Sequence, residues 1–109
     1  MQDKTLIHLR ERLAQGDCAR VAESCEKLAA KTPYRDDPDF FLIKADSLRR
    51  LGRHQEAALA YRHGAGIANS ARAWLFAGSE HLKGKQNPQA LDALRRALYL
   101  EPEMEQAHV

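Results

Sequence analysis

The 109-residue sequence predicts an all-α fold, an α-solenoid of three stacked antiparallel helix pairs. Three observations predict it. The stretch 71–102 reads as two amphipathic helices with a break between them. Its pattern of small and apolar places recurs when the chain is slid back by 33 residues and then by a further 36. No stretch alternates with period two, as a half-buried strand would. Helix pairs repeated at a near-constant offset stack with a constant rotation, so the array is expected to curve into a right-handed superhelix with a concave and a convex side. The whole chain, 1–109, is then one domain with units at about 2–35, 38–70 and 71–102. Residues 103–109 are a tail or the start of a further repeat.

Six helices are expected, at about 3–15, 18–31, 38–51, 54–68, 71–83 and 88–101. In the first unit Gly16 makes the turn, and Val21 and Cys25 lie on the apolar face of the second helix. Thr5, His8, Leu9 and Arg12 replace the bulkier or smaller residues of the later copies, as a terminal unit with one unpartnered face allows. Pro33 closes the unit. Tyr34-Arg35-Asp36-Asp37 reads as an extended linker in which Asp37 caps the next helix, with Pro38 in its first turn.

The second unit places Phe41, Ala45 and Leu48 on one face, turns at Leu51-Gly52-Arg53, and returns with Ala57 and Tyr61. Gly64-Ala65-Gly66 reads as a C-terminal helix break; with no preceding strand and no third glycine it is not a phosphate loop. Asn69 or Ser70 caps the helix that follows. In the third unit Trp74, Ala77, Gly78 and His81 share a face, and Ala77-Gly78 leaves a flat spot for a close neighbour. Gly84 stops that helix, Asn87 caps the next with Pro88 at its first position, and Pro102 ends it. Ala90, Leu94, Ala97 and Leu98 form the apolar face of this last helix.

The third unit resembles the tetratricopeptide repeat, whose pattern is Trp, two residues, Leu-Gly, two residues, Tyr, then Ala, three residues, Phe, and a closing Pro. Trp74, Gly78, Ala90 and Pro102 match it, while Ala77, His81 and Leu94 depart from it. Carried back by the two shifts, the resemblance covers about residues 2–102. It implies a protein-interaction scaffold or a chaperone-like adaptor, similar in size to bacterial secretion chaperones, with the first helix of each unit lining the concave side. On that side the residues expected to meet a partner are Leu6, Arg10 and Leu13, then Asp39, Leu42, Asp46 and Arg49, then Arg72, Leu75 and Ser79. Asp3 and Leu82 lie on the same faces. Leu6, Leu42 and Leu75 occupy one place in every copy. They form either an apolar stripe flanked by Arg10, Arg49, Arg50, Arg72 and Lys83, or packing between neighbouring units. As a stripe they suit an extended or helical segment with apolar anchors and some acidic residues. The clamp by which some members of the family grip a C-terminal carboxylate is not expected, because Leu6, Arg10, Ile43, Arg72 and Phe76 hold its places.

With 44% hydrophobic and 29% charged residues and a net charge of +2, nothing demands a polyanionic partner, so no nucleic acid is expected. Single-stranded RNA binding, known among other helical-hairpin arrays, is disfavoured by Trp74, Gly78 and Pro102. The N-terminal segment has no apolar run long enough for a signal or a membrane span, so a cytoplasmic protein without a membrane role is expected. Cys18 and Cys25, seven residues apart on one helix and so about 10 Å apart, cannot pair with each other. The five histidines are scattered and no serine sits in a glycine-flanked elbow. No enzymatic activity, cofactor or metal is therefore expected. The last helix presents Leu91, Leu94 and Leu98, a face that a longer repeat protein, self-association into a homo-oligomer, or a partner would cover. A second class of function is the interaction segment of a larger bacterial enzyme, such as a transferase.

Overall fold

The computed structural model describes residues 4–29 and 31–103; Asp3 and the tail residues 104–109 of the sequence reading lie outside them. Among the described residues there are seven helices and no strand. They are α1 (Lys4–Ala14), α2 (Cys18–Leu28), α3 (Thr32–Arg35), α4 (Pro38–Arg50), α5 (His54–Ala68), α6 (Ala71–Lys83) and α7 (Asn87–Leu100). α1 packs on α2, α4 on α5, α5 on α6 and α6 on α7, while α4 also meets both α1 and α2. None of these helices is long and apolar enough to cross a membrane.

Element boundaries follow the sequence offsets. A shift of 33 carries α4 onto α6 end to end, and α5 and α7 begin 33 residues apart; α2 and α5 begin 36 apart. The turns share a conformation in the same register, with φ of 86° at Gly16, 78° at Gly52 and 61° at Lys85. Two of the three are glycine because a Cβ is strained in the left-handed region. In the third turn the glycine stands one residue early. Gly84 has φ of −84° and admits Gln55 instead, whose Cγ would lie 2.8 Å from an added Cβ.

The expected caps form at two places. Asp37 Oδ1 accepts from the Asp39 N–H at 3.0 Å, and Ser70 Oγ accepts from the Ala73 N–H at 3.2 Å. Asn87 does not cap α7. It lies inside the helix, and Gln86 holds the cap position without a side-chain cap, its Oε1 being engaged 2.8 Å from His81 Nδ1. Gly64 and Gly66 do not break α5, which runs on to Ala68 and ends at left-handed Asn69. Gly64 instead permits close approach, since an added Cβ would meet the Pro38 carbonyl at 3.3 Å and Phe41 Cβ at 3.4 Å. α2 ends at Leu28 rather than 31, and the linker is not extended. Residues 32–35 form one helical turn that carries Tyr34 into the core, its ring 5.3 Å from that of Phe40.

Two cores result, and they differ in grain. The N-terminal one joins Leu6, Leu9, Leu13, Val21, Cys25, Tyr34, Phe40, Phe41 and Ile43, mostly large side chains. The C-terminal one is dominated by alanine, with Leu48, Tyr61, Trp74 and Leu94 among Ala45, Ala57, Ala65, Ala77, Ala93 and Ala97. Small residues let helix backbones approach, and the closest approach falls at the expected flat spot. A Cβ on Gly78 would stand 2.8 Å from Leu94 Cδ2 and 2.9 Å from its Cγ. Leu94 is consequently buried, and Leu98 packs on the same core, so of the three leucines expected to be exposed on α7 only Leu91 is, at 44%.

Candidate functional site

The residues nominated for partner contact come from α1, α4 and α6, and the structure divides them into two groups. Leu6 and Leu13 are buried in the N-terminal core, and Leu42 and Leu75 are half-buried against the C-terminal one. The leucine place common to the three copies therefore faces neighbouring helices more than solvent. Apolar side chains at a helix junction gain most by leaving water together. Arg50, expected to flank a stripe, donates from Nη1 to the Leu13 carbonyl at 2.9 Å and so satisfies the end of α1. The polar nominees stay accessible. Arg10 and Asp39 are exposed and pair across α1 and α4 at 3.7 Å, and Arg72 is exposed in the first turn of α6.

Asp46, Arg49 and Ser79 come together around one depression of about 280 Å³, which Tyr61, Phe76, Glu80 and Lys83 complete. Helical spacing explains why. Phe76, Ser79 and Lys83 recur on one stripe of α6, while Asp46 and Arg49 share one of α4. Tyr61 reaches the depression from α5 between them. Its ring is buried and lies 5.5 Å from that of Phe76. Its hydroxyl donates to Asp46 Oδ1 and accepts from Arg49 Nε at 3.2 Å. Burial, and then the proton's engagement by Asp46, push the Tyr61 phenol well above its usual range. The bond to Tyr61 in turn raises the Arg49 guanidinium, so both groups keep their protons. Phe76 is 43% exposed, an aromatic ring in the open and tilted at 47° to a buried neighbour.

Glu80 is the residue that sequence reasoning missed. It is a carboxylate only 1% exposed on a helix whose other charged residues face water. Its Oε1 lies 3.2 Å from His54 Nδ1 and its Oε2 lies 3.3 Å from Lys83 Nζ. The Lys83 contact is an ion pair by distance but not an aligned hydrogen bond, so Oε2 has no hydrogen-bond partner among the described residues. The sequence carries no signal for it, since the burial of its counterpart one shift back appears only in the structure. The shift of 33 carries Glu80 onto Ser47, which is also fully buried and bonds its hydroxyl to the Lys44 carbonyl at 2.7 Å. His81, placed in the core by its spacing, is 1% exposed.

The depression thus offers fixed donors from Arg49 and Lys83, a fixed acceptor at Asp46, and an apolar ring at Phe76. These are the means of non-covalent recognition. Comparison of the sequence with protein-family models and with curated proteins finds no match.

Proposed function

We propose that this chain is a tetratricopeptide-like scaffold that holds a segment of another protein against α4 and α6. Three features support the repeat reading. α4 and α6 coincide under one shift, the left-handed turns recur at Gly16, Gly52 and Lys85, and the flat spot at Gly78 admits Leu94. The binding reading is carried by Phe76, an exposed ring held on Tyr61 beside Arg49 and Lys83. An aromatic residue rigidly seated and rimmed by charge is the composition of an interaction hot spot. The partner segment lays an apolar side chain on Phe76 and a carboxylate against Arg49 or Lys83. The same role serves a free adaptor, a chaperone-like holder, or the interaction segment of a larger enzyme.

Affinity capture with the intact chain, run beside Phe76→Ser and Lys83→Glu variants, tests this. The reading requires a protein retained by the parent chain and lost by both variants while their melting temperatures stay within a few degrees of it. A partner that both variants retain refutes the placement.

A further inference from the structure

Away from that groove, a second depression of about 410 Å³ opens between the end of α5 and the length of α7. Its floor is Trp74, 8% exposed. The guanidinium carbons of Arg96 and Arg62 lie 5.0 and 5.2 Å from the indole centroid. Both guanidiniums converge on one oxygen, Asp92 Oδ2, at 3.2 Å from Arg96 Nε and 2.9 Å from Arg62 Nη2. They hold the Asp92 carboxyl below its usual range, Arg62 most strongly. One acceptor atom cannot satisfy two forked donors, and Arg62 Nη1 is buried with no hydrogen-bond partner among the described residues. Arg95, exposed on the same rim, pairs with no carboxylate among the described residues. Two cations, Arg95 and Arg96, thus line the depression with one anion, Asp92, which Arg62 also engages from beside it. Glu101 and Glu103 line a separate depression beyond Leu100.

The same feature occurs one unit earlier. A shift of 33 carries Trp74, Asp92 and Arg96 onto Phe41, Leu59 and His63, and these three also line one depression, of about 240 Å³. There the His63 ring stacks on Phe41 at 4.0 Å, as the Arg96 guanidinium lies over Trp74. The fold therefore builds an aromatic floor under a planar nitrogen group twice. In the later copy Asp92 stands where the earlier one has Leu59, and Tyr99, 86% exposed, stands at its edge.

We propose that the Trp74 depression is a second binding surface, which takes an acidic segment of a partner protein carrying one aliphatic or aromatic side chain. The segment's carboxylates meet Arg95 and Arg96, and its apolar side chain lies on Tyr99 and the edge of Trp74. Charge complementarity selects this occupant. A nucleic-acid strand would need a row of cations along its phosphates, and here Asp92 lies among the cations and accepts from two of them.

Trp74 is the only tryptophan of the chain, so the emission signal comes from the floor of this depression. The probe is a synthetic peptide, Asp-Glu-Leu-Phe-Glu-Asp blocked at both ends, with its Asn/Gln counterpart and a uridine hexanucleotide as comparisons. Emission and titration calorimetry are both read. The expected result is saturable binding of the acidic peptide, weakened about tenfold by Arg95→Glu, the equivalent of one lost charge pair. Arg20→Glu makes the same change of net charge at an exposed position on α2 and should leave binding unchanged. The proposal is overturned if neither readout saturates, or if the Asn/Gln peptide binds as well. Equal weakening by both variants, or tighter binding of the hexanucleotide, overturns it too.

Discussion

Gly78→Ala and Gly66→Ala make one chemical change at two helical glycines, and the structure predicts opposite outcomes. Replacing glycine by alanine inside a helix stabilises by roughly 0.5–1 kcal/mol when the new methyl group is unopposed. At Gly66 nothing lies within 4 Å of the added Cβ, so that gain should appear in full. At Gly78 the methyl would meet Leu94 Cδ2 at 2.8 Å, Leu94 Cγ at 2.9 Å and the Ala90 carbonyl at 3.4 Å. Leu94 is 6% exposed among close-packed alanines, so it has nowhere to retreat, and α6 and α7 must separate instead. Overpacking of this kind costs about 1–3 kcal/mol, more than the helical gain. The net expectation is a loss of about 1–2 kcal/mol for Gly78→Ala, or about 4–10 °C in melting temperature for a domain of this size. Thermal and urea unfolding followed by circular dichroism would measure both variants. In a Leu94→Ala background the Gly78→Ala penalty should vanish, which separates the steric cause from any other. A Gly78→Ala chain as stable as its parent would refute the close-packed α6–α7 interface on which the fold rests.

Other consequences are measurable on the isolated chain. Ser70→Ala removes the acceptor for the Ala73 N–H and should lower stability by about 1 kcal/mol in urea unfolding, with Ser70→Asp restoring most of it. His54→Ala leaves the buried Glu80 carboxylate with Lys83 alone and should lower stability by about 1–2 kcal/mol, an effect that Glu80→Gln in the same chain should lessen. Burial pushes the Cys25 thiol from its ordinary 9.0 up to about 11, with the Lys44 charge opposing in part. Since the folded thiol keeps its proton when the unfolded one has lost it, its contribution is fully present below pH 9 and lost as pH rises towards 11. Cys25→Ala should therefore flatten the alkaline fall in stability over that window, by an amount on the order of 2 kcal/mol. Tyr61, also raised, contributes with the same sign in both chains and cancels in the comparison.

The helices were legible because their signals are local. Gly16 and Gly52 mark turns, Asp37 and Ser70 mark starts, and a shift of 33 predicts that α6 repeats α4, as it does to the residue. Non-local competition explains what was not. Tyr34 looked like linker, yet Phe40 gives its ring a partner, and that contact coils the segment into α3. Asn87 looked like a cap, but Gln86 sits at the helix entry, with its side chain on buried His81. Gly64 and Gly66 looked like a break, whereas the approach of α4 requires a small residue at Gly64. Sequence nominated Asp46, Arg49 and Ser79, which do converge. It could not foresee that Tyr61, a core residue by spacing, would push its hydroxyl between them, nor that Glu80 would be buried beside His54. Spacing leaves Leu6 open between groove and packing and nominates Leu13 for the groove; both lie in the core, because a helical face that meets two neighbours has little surface left for a third.

Amide shift mapping of the isotope-labelled chain with the segment captured by it tests the binding claim most directly. The account predicts shifts concentrated on α4 and α6 around Arg49, Phe76 and Lys83, diminishing towards α2. Shifts confined to α1 and α2, with Phe76 and Arg49 unmoved by saturating segment, would contradict it.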